Sequence, residues 1–139
     1  MSDFSNYAES GILDHLFRES TFSKPTVIAV ALTTNAPTDS DTGVTMSEVV
    51  DAGAYARVVH SGNLNLDEPA AAGTTTNTTV ITFPTATADW GYVSGVVLCD
   101  TEAHGTGNSL LYGTLGTPKI VANGETFSFP ATNLDVQLS

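Results

Sequence analysis

Apolar residues fall first at helical spacing and then, beyond Lys24-Pro25, at strand spacing. In the opening stretch Ala8, Ile12 and Leu16 lie four apart, with Leu13 and Phe17 beside them. Glu9, Asp14 and Arg18 stay outside that stripe, so the pattern predicts an amphipathic helix over residues 5–18. Asn6 can cap it, with Glu9 three residues on to return a bond to the cap backbone. Gly11 sits inside and weakens the helix by roughly 1 kcal/mol relative to Ala. A helix this short does not hold alone in water, so its stripe is expected to dock on something.

The rest of the pattern is a series of short strands. Thr26–Thr33 (TVIAVALT) is β-branched and nearly continuously apolar, the mark of a strand buried on both faces. Tyr55–His60, Thr79–Phe83, Tyr92–Cys99, Ser109–Leu115, Lys119–Val121, Thr126–Phe129 and Leu134–Leu138 read as further strands. The last alternates, with Leu134, Val136 and Leu138 inward and Asp135 and Gln137 outward. Gly95, in the middle of Tyr92–Cys99, predicts a bulge or a close backbone approach. Asn35–Val44 carries turn chemistry, and Asn63–Thr78 reads as a long polar loop. Asn123-Gly124 is the strongest hairpin signal in the chain. Together these predict a mainly β fold, an antiparallel, jelly-roll-like β-sandwich with one short N-terminal α-helix. No linker divides the sequence, so a single domain over 1–139 is expected, with 1–24 as helix and arm and 25–139 as sandwich.

Composition narrows the function. Four Lys and Arg stand against 15 Asp and Glu, a net charge of −11. So few cations cannot make a phosphate-binding face or adhere to an anionic membrane, so neither nucleic acid nor membrane is expected as a partner. No run of 18 apolar residues is present, and MSDFSNYAES lacks the basic and apolar blocks of a secretory signal. The single Cys99 permits no internal disulfide.

Candidate chemistry is sparse. The imidazoles are His15, His60 and His104, and Asp100, Glu102 and His104 could offer metal ligands, although a polar loop gives the same residues. Asp39-Ser40-Asp41-Thr42-Gly43 opens like a calcium loop, but the pattern fails at Gly43, Val44 and Val50 and reads as an Asx-turn. Cys99 lies beside Asp100, which opposes a thiolate. Gly105-Thr106-Gly107 is followed by no crossover helix, and Asp67-Glu68 would diverge in an extended segment. Trp90, Tyr92, Tyr55 and Tyr112 could be sugar platforms or packing residues, and packing is the reading preferred. No catalytic, cofactor-binding or metal-binding residue is assigned, and no cofactor is expected.

Read in order, several segments are similar to a known family. They are Leu13-Asp14-His15-Leu16-Phe17, Val30-Ala31-Leu32-Thr33-Thr34 with Ala36-Pro37, and Tyr55-Ala56-Arg57-Val58. The run Ile81-Thr82-Phe83-Pro84-Thr85-Ala86-Thr87-Ala88-Asp89-Trp90-Gly91 follows, the most specific single piece. Leu110-Leu111-Tyr112-Gly113 with Leu115, Pro118-Lys119, and Gly124-Glu125-Thr126-Phe127 with Phe129 complete the set. The chain resembles small tailed-bacteriophage structural proteins, commonly labelled tail-fibre-like, some of whose relatives act as head decoration or cement. It departs from that family at Val97-Leu98-Cys99-Asp100-Thr101 and over Asn63–Thr78.

The resemblance implies a non-enzymatic virion protein. The leading expectation is a capsid cement protein on the outer surface of the head, bound between capsomers and partnered by the major capsid protein. A ligand of the assembled lattice stabilises it by mass action, and an acidic exterior suits that role. A homo-oligomer is expected, a trimer by the symmetry of lattice sites. The alternatives are a tail, tail-fibre or baseplate component partnered by tail proteins, and a small carbohydrate-binding module. The residues expected to contact partners are Phe4, Tyr7, Phe17, Leu64 and Leu66, from the arm and the long loop.

Overall fold

The apolar run after Pro25 becomes the centre of the main sheet. The computed structural model describes residues 3–59 and 72–137. His60, Leu64, Leu66, Leu138 and most of the long loop lie outside the described residues. Strands β1 (Asp3–Phe4), β2 (Ala29–Thr33), β3 (Val58–Val59), β6 (Gly91–Cys99) and β7 (Ser109–Val121) form a five-stranded sheet in the order β1-β7-β6-β2-β3. Two ladders face it: β4 (Thr74–Thr76) with β9 (Asp135–Gln137), and β5 (Ile81–Thr82) with β8 (Ser128–Phe129). All pairings are antiparallel. The protein is mainly β and sandwich-like, with the helix α1 (Asn6–Phe17) near its start.

Every residue of β2 is buried, as its unbroken apolar character predicts. Its two faces feed two clusters. Val30 and Leu32 join Val96 and Leu98 of β6 and meet Ile81, Phe83, Phe127, Phe129 and Leu134 from the opposing layer. Tyr55, Phe83 and Trp90 interlock there, with ring centroids 6.3 Å apart for Tyr55–Phe83 and 5.3 Å for Tyr55–Trp90. On the other face Ala31, Val97 and Cys99 pack against Met46. Met46 arrives there on a single helical turn, in which Thr42 and Thr45 cap each other's amides through their hydroxyls.

Gly95 shows why its strand needs a glycine. The register jumps between Val93 and Gly95, from Val93↔Lys119 to Gly95↔Thr114, so residues 115–118 loop out and β7 runs through what reads in sequence as two strands. A Cβ at Gly95 would lie 2.4 Å from both Pro37 Cδ and Thr33 Oγ1.

Other expectations are corrected. Asn123-Gly124 does form a tight turn, with Gly124 at φ +87° and the Glu125 amide donating to Ala122 O. It is not a hairpin, because β8 pairs with β5 and the turn carries the chain from the sheet to the facing layer. Thr74–Thr76, read as loop, pairs with β9. Within Tyr55–Val59, the described part of the strand expected over Tyr55–His60, only Val58–Val59 is paired, because Tyr55 and Arg57 bond elsewhere.

The helix is capped by Ser5, not Asn6. The Ser5 hydroxyl accepts from the Ala8 amide at 3.3 Å and donates to Ser109 O, which ties the helix start to β7. The Asn6 amide donates to Asp39 O at 2.8 Å. Of the helix only Ala8 is buried. The expected stripe docks only at its start, where Ala8 is buried and Ile12 half-buried, while Leu13, Leu16 and Phe17 are 56%, 65% and 79% exposed. The physical reason lies in Gly11, over which the Phe22 ring folds back, within 2.3 Å of where a Cβ would stand. Tyr7 meets that ring edge-on at 5.8 Å. The returning chain thus covers the glycine side of the helix and leaves the aliphatic side outward.

Gly95→Ala is expected to cost about 1–3 kcal/mol, because the new methyl has neither Pro37 nor Thr33 free to yield. Urea unfolding of the variant against the parent measures it as a lower midpoint at unchanged slope.

Candidate functional site

The densest polar cluster forms beneath the edge of the sheet, where an Arg and a Glu are both removed from solvent. Their side chains are 0% and 4% exposed, and Arg57 Nε lies 2.8 Å from Glu48 Oε1. Arg57 Nη2 donates to Glu48 Oε2 at 2.8 Å and to Gly43 O at 3.1 Å. Its Nη1 donates to Thr101 O at 3.1 Å and Thr106 O at 3.0 Å. The pairing with Glu48 is the bidentate fork that suits a planar guanidinium.

Glu48 is engaged as fully. The Tyr55 hydroxyl donates to Oε1 at 3.0 Å and itself accepts from the Leu32 amide at 2.9 Å. The Gly105 amide donates to Oε2 at 3.2 Å. Burial alone pushes the Glu48 carboxyl up, but the Arg57 bonds and charge, with the Gly105 amide and the Tyr55 hydroxyl, hold it below its ordinary value. The same burial, with Glu48's charge, raises the Tyr55 phenol well above its usual range. His104 closes the cluster: Nε2 donates to Val49 O at 2.8 Å, and the ring stands edge-on to Tyr55 at 6.0 Å.

This arrangement holds loops together, with the Arg57 and Glu48 side chains turned onto protein groups. Gly43 packs so tightly on Thr106 that a Cβ would sit 2.0 Å from its carbonyl oxygen. Asp100, a metal candidate in the sequence, accepts from the Asn108 amide at 2.7 Å and from Asn108 Nδ2 at 2.8 Å. Glu102 is exposed and His104 is bonded to backbone. Asp41 accepts from the Thr38 amide at 2.8 Å, so the calcium-like segment is a turn. Among the described residues no group of three or more His, Cys, Asp or Glu is placed to hold a metal ion. Cys99 is buried, and burial pushes its thiol up to about 12.

Surface features take up the remaining candidates. Trp90 and Tyr55 are core residues, and Trp90 Nε1 donates to Gly53 O at 2.8 Å. Tyr92 is exposed at the far end of β6 from half-buried Tyr112, so these aromatics line no common groove. Val96, Leu98, Leu111, Leu134 and Val136 line a small, mostly apolar groove together with Tyr112, the one residue in its lining with a polar side chain. Of the expected contact residues, Phe4 is half-buried in β1, Tyr7 is against Phe22, and Phe17 stands in solvent. Leu64 and Leu66 lie outside the described residues. Sequence reasoning passed over Arg57 and Glu48. The available signal was an Arg set among Tyr55, Val58 and Val59 in a chain with only four basic residues.

Glu48→Gln is expected to destabilise the fold by about 3–5 kcal/mol at neutral pH, as breaking a buried ion pair does. Because the folded carboxyl titrates below the unfolded one, its contribution is complete above the ordinary carboxylate range and is lost as pH falls through the folded value. Denaturant midpoints across an acid series check this: the parent's decline should be shallower in the variant. A thiol reagent at neutral pH should leave Cys99 unmodified in the native protein and modify it in urea.

No curated protein matches the chain. The family described as podophage GP4 fiber I protein gp80 matches residues 3–137. With nearly its whole length matched, the chain belongs to the podophage GP4 fiber I protein gp80 family.

Proposed function

We propose that this chain is a non-catalytic structural subunit of a phage virion, carried on the tail side as part of a fibre, and that it acts by packing against neighbouring proteins. The observation that carries the reading is the family match over residues 3–137, whose description names a fibre protein. That description favours the tail alternative over the head-cement role that composition and resemblance first suggested.

The use of charged groups supports a structural role. Arg57 and Glu48 are sealed from solvent and saturated by each other and by loop backbone. Asp100 and Asp41 are spent on neighbouring amides. A general acid or base needs a proton-transfer partner within reach of substrate, and these groups reach only the protein itself. Of the four aromatics a sugar platform could use, Trp90 and Tyr55 are packed inside, and exposed Tyr92 stands apart from half-buried Tyr112 along β6.

Labelling of intact particles with an antibody against this chain, imaged by electron microscopy, tests the placement. Label at the tail, with a copy number far below that of the major shell subunit, is the expected result. Label spread over the head at a copy number comparable with the shell subunit would replace the fibre reading with the cement one. Turnover of a polysaccharide or another substrate by the purified chain would end the non-catalytic reading.

A further inference from the structure

An Asn followed by Gly carries the means of its own chemical conversion. The Asn side-chain amide lies next to a backbone nitrogen that no side chain screens, and in an open chain that nitrogen attacks it. Asn123 and Gly124 are both exposed, and a Cβ at Gly124 would meet nothing within 4 Å. Water and base therefore reach this turn, and burial does not protect it.

Hydrogen bonds do. The attacking group, the Gly124 amide, donates to Ala86 O at 2.7 Å. Ala86 is 1% exposed, and its own amide donates to Glu125 O at 2.9 Å, so the two segments hold each other reciprocally. On the other side of the Asn123 α-carbon, the Asn123 amide donates to Asp89 Oδ1 at 2.8 Å. The clamp continues the β5–β8 ladder, since the Phe83 amide donates to Phe127 O at 2.9 Å and the Thr85 and Thr126 hydroxyls lie 2.8 Å apart. Taking the proton from Gly124 N requires the turn to open, the same step that amide hydrogen exchange reads.

We propose that Asn123-Gly124 is a deamidation site that the native fold keeps closed and that opening of the turn converts irreversibly. In the open turn Gly124 N loses its proton and bonds to Asn123 Cγ, the Cγ–Nδ2 bond breaks, and ammonia leaves with the proton. Water then opens the five-membered imide to aspartate or isoaspartate. Either product adds a carboxylate beside Asp89 and beside Glu125, whose Oε2 accepts from the Ala122 amide at 2.9 Å, so like charges gather at the turn. Isoaspartate also lengthens the backbone by a methylene, and the bonds to Asp89 and Ala86 then no longer fit together. This turn delivers Phe127 and Phe129 to the core, so a converted chain closes poorly. The chemistry belongs to the chain itself and stands apart from the fibre reading.

Incubation of the full chain at mildly alkaline pH, native and in guanidinium chloride, tests it, with peptide mapping by mass spectrometry and isoaspartate detection at residue 123. Conversion should be roughly a hundred-fold or more slower in the native protein, and slowed by the same factor as hydrogen exchange at the Gly124 amide. Asp89→Ala releases one side of the clamp and should speed native conversion roughly ten-fold or more, the loss of a hydrogen bond to a charged group. Chain converted while unfolded and then refolded should show a lower urea midpoint than Asn123→Ser carried through the same treatment, a control that shares any damage elsewhere. Native conversion within a few-fold of the unfolded rate overturns the proposal, as does a native rate that Asp89→Ala leaves unchanged or that does not follow Gly124 exchange. A converted chain that refolds to the midpoint of the treated Asn123→Ser control overturns it as well.

Discussion

A guanidinium buried beneath a sheet must find an acceptor for each of its N–H groups, and at Arg57 those acceptors come from two loops far apart in sequence. Gly43 and Glu48 supply one set, and Thr101 and Thr106 the other. The loops cannot move apart without stranding a buried charge, which is far more costly than losing an ordinary hydrogen bond. Buried ion pairs add little net stability over well-packed apolar groups, so what this one supplies is geometry. Glu48 extends the constraint, because it also holds Tyr55, whose hydroxyl accepts from the Leu32 amide and whose ring sits between Phe83 and Trp90. One ion pair thus couples the loops under one face of the sheet to the aromatic core on the other.

That coupling explains why the sequence was readable in some places and opaque in others. Local rules worked where a residue answers to its own neighbours. The unbroken apolar run became the doubly buried β2, the alternation of Leu134 to Gln137 became β9 and its flank, and Gly95 marked a bulge. They failed where the answer lies across the fold. Asn123-Gly124 announces a turn, but whether the strands beside it pair depends on which sheet each joins. Tyr55 and Arg57 look like strand residues because their letters suit a ladder, yet their polar ends are recruited by Glu48. Periodicity in the first helix reported an apolar stripe correctly and could not say what would cover it. Ser5 displaced Asn6 as the cap because Ser5 also reaches Ser109, a partner more than a hundred residues away.

The same division applies to the candidate site. The turn at Asp39–Gly43 and the packing of Trp90 were legible, since the first follows from Asx chemistry and the second from a large ring at a strand entrance. The Glu48–Arg57 pair was not, because a charged residue gives no sign in sequence of being sealed from water. Only its scarcity hinted at a structural use: in a chain with four cations, one is spent entirely inside.

What remains outside is an acidic body with an apolar stripe on its helix. These two properties act on assembly in opposite directions. Net charge of one sign keeps copies apart at long range and discourages adventitious contacts, while an apolar stripe rewards contact only at short range. Placing the stripe on a helix that is capped into β7 fixes its position relative to the sheet, so contact through the arm would transmit orientation as well as proximity. A docked stripe, with Leu13 and Phe17 turned inward, would have added stability to the single chain and removed that surface. The close fit of Phe22 over Gly11 favours the other arrangement, since it commits one side of the helix to its own arm and leaves the aliphatic side outward.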